Sequence, residues 1–150
     1  NVVEKIDKRL DEINENRTNH FTKTLDKIEH ALDRVRSRAD KAEANGLDVA
    51  SVRTAISTAE TAISSARSAI ATQAGKTYPI TVGTEETLRS NVEAARKALH
   101  DDLKKVREIV RVAHDAVRKV AVALAQIPRV NEVEDAAIES SGSTGAGTQQ

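Results

Sequence analysis

The sequence predicts an all-α fold: an elongated three-helix bundle or coiled coil with helices over about 2–44, 48–74 and 85–127, an extended linker over 75–84 and a C-terminal tail. Apolar residues recur at alternating steps of three and four through three long segments, the spacing of one buried helical face. Turn signals fall between those segments, at Asn45-Gly46 and across the Gly75 to Gly83 stretch that holds Pro79. Phe21 and Tyr78 are the only aromatic residues, so the core has to be aliphatic.

The first helix carries Val3, Ile6, Leu10, Ile13, Phe21, Leu25, Ile28, Leu32, Val35, Ala39 and Ala42 on one row, and Asn45-Gly46 stops it. Asp48 is a suitable N-cap for the second helix, in which Val52, Ile56, Ala59, Ile63, Ala66 and Ile70 step by four and three until Gly75. The stretch "KTYPITVG" combines proline, β-branched residues and glycine and reads as extended. Thr84 followed by Glu85 and Glu86 caps the third helix with acids against the helix dipole. Its core row runs from Leu88 to Ile127, where Pro128 breaks it.

The second helix is shorter than its neighbours and is almost wholly Ala, Ser, Thr and Ile over 55–73. Small residues let backbones approach closely, so this helix is expected to fill the space between two longer ones. Arg53, Glu60 and Arg67 recur every seven residues and are expected to mark its one face toward water. The core rows of helices one and three superpose at an offset of 82, Ile6 on Leu88 and Ile13 on Ala95, each with an extra four-residue step near Arg17 and Leu99. In that arrangement the half of the bundle with Ile6, Leu10, Ile13, Leu88, Val92 and Ala95 lacks a third helix. Its cover is expected from the linker residues Tyr78, Ile80 and Val82, from the C-terminal segment, or from another copy of the protein.

The domain reading is one helical bundle over 1–127, then an acidic segment and a Gly/Ser/Thr tail over 128–150. Basic and acidic residues balance at 23 each, so no global field draws the chain to nucleic acid, which is not an expected partner. The absence of cysteine excludes disulfides and thiolate chemistry. Position 1 is Asn and no methionine occurs, which suits a processed chain from which an export signal has been removed, or an excised fragment. The longest uncharged runs fall far short of the ~20 residues of a membrane span, so no transmembrane segment is expected.

Two surfaces are candidates for function. Ile6, Leu10 and Ile13 on helix one, with Ile109, Val112, Ala116, Val122 and Ala123 on helix three, offer more apolar surface than one copy needs and are the candidate self-association faces. Lys104, Arg107, Arg111, His114 and Arg118 form a basic stripe, the candidate contact for an anionic polymer or for the acidic segment over 129–139. An ordinary solvated face has the same pattern. No phosphate loop, HExxH, GxSxG or carboxylate-pair signature is present, so no catalytic residue, metal ligand or cofactor is expected, and an enzyme is not expected. At the 82-residue offset His20 and His30 come level with His100 and His114, which reads more simply as histidines flanking a core than as a metal site. Asn16-Arg17-Thr18 has the form of a glycosylation sequon but lies within a helix.

The block "RVRSRADKAEANGLDVASVRTAISTAETAISSARSAI" resembles uncharacterised exported helical proteins of small-genome candidate-phyla bacteria. The resemblance covers about a quarter of the chain and implies a helical hairpin and an extracellular, periplasmic or cell-surface location; it carries no site residues. The expected function is structural: an exported subunit of a fibre, tube or surface array whose partners are copies of itself. The alternatives are an envelope module that binds an anionic polymer through the basic stripe, and a small periplasmic chaperone-like protein.

Overall fold

A computed structural model describes residues 1–128; the acidic segment and tail expected beyond Pro128 lie outside the described residues. Three helices, α1 (Val2–Ala44), α2 (Ala50–Ala74) and α3 (Glu85–Ala125), pack as an all-α three-helix bundle. Among the described residues there is no strand.

The helix ends follow from local chemistry. Gly46 takes a φ of 86°, and the amides of Gly46 and Leu47 donate to the carbonyls of Glu43 and Ala42, a Schellman ending for α1. Nothing lies within 4 Å of where a Cβ would stand on Gly46, so only the left-handed backbone resists a side chain there. Gly46→Ala is therefore expected to cost about 1 kcal/mol in a urea melt.

α2 begins two residues later than the sequence suggested. The Asp48 carboxylate accepts from the Ala50 amide, which leaves Asp48 and the buried Val49 ahead of the first turn. At α3 the Thr84 and Thr87 hydroxyls bond to each other and the Thr87 amide donates to Thr84 Oγ1. Past Ala125 the chain closes with turn bonds at Gln126 and Ile127, two residues short of the expected end.

The backbone gathers into two compact units, to each of which all three helices contribute. In the first unit, Asn1–Lys27 with Ala62–Ala113, the core is built on Phe21, Leu25, Ile63, Ala66, Leu99 and Val106. Tyr78 and Ile80 of the linker are also buried here, whereas Val82 is exposed. Of the three covers anticipated for the half without α2, the linker thus supplies one. It is tied down at Thr81, whose carbonyl accepts from Asn91 Nδ2 at 2.8 Å, and at Tyr78.

Tyr78 belongs to a buried polar cluster in the same unit. Asn14 Nδ2 donates to the Gln73 carbonyl at 2.9 Å, and Gln73 Nε2 donates to Asn14 Oδ1 and to the Tyr78 oxygen, each at 2.8 Å. Tyr78 in turn donates to Asp102 Oδ2 at 2.6 Å, and Lys76 Nζ stands 3.5 Å from the same carboxylate oxygen. Within this cluster Asn14, Gln73 and Tyr78 each find partners, and a shifted α2 or linker would leave several without one.

The second unit, Ile28–Thr61 with the described chain from His114 to Pro128, centres on Leu32, Ala39, Val52, Ala59, Val120 and Leu124. Ala59 here and Ala66 in the first unit are fully buried, as expected of a filler helix.

The heptad-spaced charges of α2 do not simply face water. In the second unit Glu60 meets Arg36 at 2.7 Å, and Arg53 meets both Asp40 and Glu43 at 2.7 Å. In the first unit Arg67 meets Asp26 at 2.9 Å. These pairs remain solvent-accessible and contribute about 0–1 kcal/mol each, so they select the partner face of α1 more than they stabilise it.

Candidate functional site

In the first unit a groove of about 520 Å³ opens between α1 and α3. Its floor is aliphatic: Ile6, Leu10 and Ile13 from α1, Leu99 and Leu103 from α3. Around that floor stand Lys5, Arg9 and Arg17 of α1 and Arg96, His100, Lys104 and Arg107 of α3, with no acidic side chain in the lining. The pattern follows from the helix period. Residues at i and i+4 stack on one face, so Lys5 and Arg9 flank the row of Ile6, Leu10 and Ile13 as Arg96, His100 and Lys104 flank that of Leu99 and Leu103.

The cations are largely uncommitted. Among the described residues, Lys5, Arg9, Arg17, Lys104 and Arg107 form no salt bridge, while Arg96 lies 3.5 Å from Glu93. The Arg17 guanidinium sits 5.3 Å from the centre of the Phe21 ring, a cation–π contact that orients it. The positive field also acts on Asp101, next to the rim. Its carboxyl is held below the usual range by the hydrogen bond from Lys97, and further by the charges of Lys97, His100 and Lys104. A concave apolar surface ringed by like charges concentrates that field on whatever enters it.

The groove separates residues that the sequence grouped and joins others that it did not. Of the basic stripe, Lys104 and Arg107 reach it, whereas Arg111 pairs with Glu108 at 3.7 Å. His114 and Arg118 belong to the second unit and both lie 3.7 Å from Asp115.

Of the apolar candidates in the first unit, Leu10 is only 3% exposed, while Ile6 and Ile13 are half-buried in the groove. Leu10 is core, lying at the bottom of the groove where almost none of its surface reaches solvent. Ile109 and Val112 are exposed, at 36% and 60%. In the second unit Ala116 is buried, Ala123 is half-buried and Val122 is 51% exposed.

The sequence singles out His100 only as a histidine flanking the core and does not single out Lys5, Arg9, Arg17 or Arg96, although each stands one residue from, or a turn away from, an apolar row position. The groove sets residues 5–17 alongside 96–107, whereas the 82-residue superposition sets them alongside 87–99. At the 82-residue level the cations of α1 would lie beside Arg89, Arg96 and Lys97, whereas in the groove they lie beside Arg96, Lys104 and Arg107.

Among the described residues no group of three or more His, Asp or Glu is placed to hold a metal ion, and no helix is long and apolar enough to cross a membrane. Comparison with family models, with curated proteins and with solved structures gives no match, so the functional reading rests on this geometry.

Proposed function

We propose that this chain is a binding protein rather than a catalyst, and that the groove of the first unit is its site for an anionic ligand. One observation carries the reading: six Lys and Arg side chains together with His100, and no acidic side chain in the lining, surround an aliphatic floor. An unliganded protein gains nothing from crowding like charges, and a partner that neutralises them is the physical reason to keep them together. The test is titration with the fluorescent anion 1-anilinonaphthalene-8-sulfonate. Saturable binding is expected, weakening with added salt as the charges are screened. The double variant Lys104→Glu/Arg107→Glu, both exposed residues, is expected to weaken it by about tenfold or more. Equal binding by the variant would remove the groove as the site.

The exposure of Val112 and Ile109 favours a second reading, the self-assembling structural subunit, in which α3 supplies an interface between copies. Light scattering across concentration checks it: Val112→Glu is expected to abolish any particles the parent forms, and particles that persist unchanged exclude this face. An exported location accompanies either reading, supported by the likeness of residues 34–70 to exported helical proteins.

A further inference from the structure

Resting on the binding reading above, we infer that the ligand of the groove is a single-chain anionic lipid, a long-chain fatty acid, with its hydrocarbon along the floor and its carboxylate among the rim cations. Three features of the lining select this chemistry.

The floor is wholly aliphatic, with no aromatic ring, hydroxyl or amide side chain. A nucleobase would find no Phe, Tyr or Trp ring in the lining to stack on, and a sugar would find few acceptors for its hydroxyls. A hydrocarbon loses nothing there, because apolar surface leaving water is favourable at about 25 cal/mol per Å². A purely anionic polymer, by contrast, gains nothing from the half-buried aliphatic surface of Ile6 and Ile13.

The rim offers donors almost exclusively. Lys and Arg have no acceptor, so a headgroup bearing its own ammonium meets repulsion, and one bearing only anionic oxygens meets charge-assisted hydrogen bonds. That separates a fatty carboxylate from a fatty alcohol, which lacks the charge, and from a zwitterionic lipid, which carries the wrong one as well.

The dimensions suit one chain. The α1 side of the lining runs from Lys5 to Arg17, about 18 Å of helix, close to the ~15 Å depth of one leaflet of a bilayer's hydrocarbon core. The volume of about 520 Å³ falls in the range of pockets that hold one small ligand.

Calorimetric titration of the full chain with monomeric myristate tests the inference, with tetradecanol, acetate and dextran sulfate as comparisons. Myristate is expected to bind one to one, tetradecanol at least about tenfold more weakly and acetate not measurably. Lys104→Glu/Arg107→Glu is expected to bring myristate down toward the alcohol, while circular dichroism shows the variant still folded. Filling the floor by Ile13→Trp is expected to weaken myristate and leave dextran sulfate unaffected.

Tetradecanol binding as tightly as myristate would overturn the inference, as would binding only to phosphatidylglycerol vesicles, which marks a membrane surface instead. Tight dextran sulfate binding lost in the charge variant, with no myristate binding, would overturn the lipid assignment and leave the anion-binding reading standing. Failure of every anion to bind would overturn both.

Discussion

Raising the pH from 10 to about 12 is expected to strip the protein of up to about 3 kcal/mol of stability through Tyr78 alone. Burial pushes the Tyr78 hydroxyl up from 10 to about 12, and its hydrogen bond to the Asp102 carboxylate pushes the same way; the bond from Gln73 offsets part of this. Below pH 10 the phenol is protonated in folded and unfolded chains alike, and the contribution is present in full. Above 10 the unfolded chain releases its proton while the folded one holds it, so stability falls with pH until the folded form also ionises near 12.

Tyr78 is the only tyrosine and there is no tryptophan, so phenolate absorbance at 295 nm reports this one group. Titration of the native protein with a midpoint near 10 would contradict the buried cluster. Tyr78→Phe is expected to abolish the Tyr78 share of the alkaline loss and, near neutral pH, to cost about 1–3 kcal/mol, because buried Gln73 and half-buried Asp102 each lose a partner.

Leu25→Ala is expected to destabilise by about 2–5 kcal/mol, read as a lower urea midpoint at unchanged slope. Leu25 has no exposed surface in the core of the first unit, so removing three carbons leaves a void that fixed helices fill only in part. Against a typical total of about 5–15 kcal/mol, such a loss brings a protein of this kind close to unfolding at body temperature. Val112→Ala on the exposed side of α3 is the control, expected to stay within about 0.5 kcal/mol of the parent. A Leu25 variant as stable as that control would mean the row is not packed as described.

How far the sequence is legible shows in these same residues. Leu25 is identified as core by its place in a row stepping by three and four, a property of one helix seen alone. Gly46 and Thr84 are identified as helix ends because capping acts within a few residues of chain. The Ala and Ser content of α2 likewise announces a helix to be buried between others. Tyr78 is different. Its partners Gln73 and Asp102 are five and 24 positions away, and Gln73 meets Asn14 across 59, so no local spacing marks them as a cluster.

The groove repeats that division. Each of its helices announces an apolar row with cations beside it, but which cations meet depends on the level at which α1 and α3 lie side by side. Two heptad patterns agree at several offsets, because sliding one helix by a heptad restores a similar apolar seam. A heptad slide is nearly neutral for aliphatic packing and decisive for charge.

From its residues alone, this chain determined the number of its helices, where each ends to within two residues and which face of each is apolar, since those properties arise from contacts within one or two turns. The tertiary structure decided which levels of α1 and α3 are neighbours, that the linker buries Tyr78 and Ile80, and that six Lys and Arg side chains together with His100 close around one aliphatic floor. Those outcomes depend on side chains far apart in the chain, whose mutual distance is set only when the helices pack.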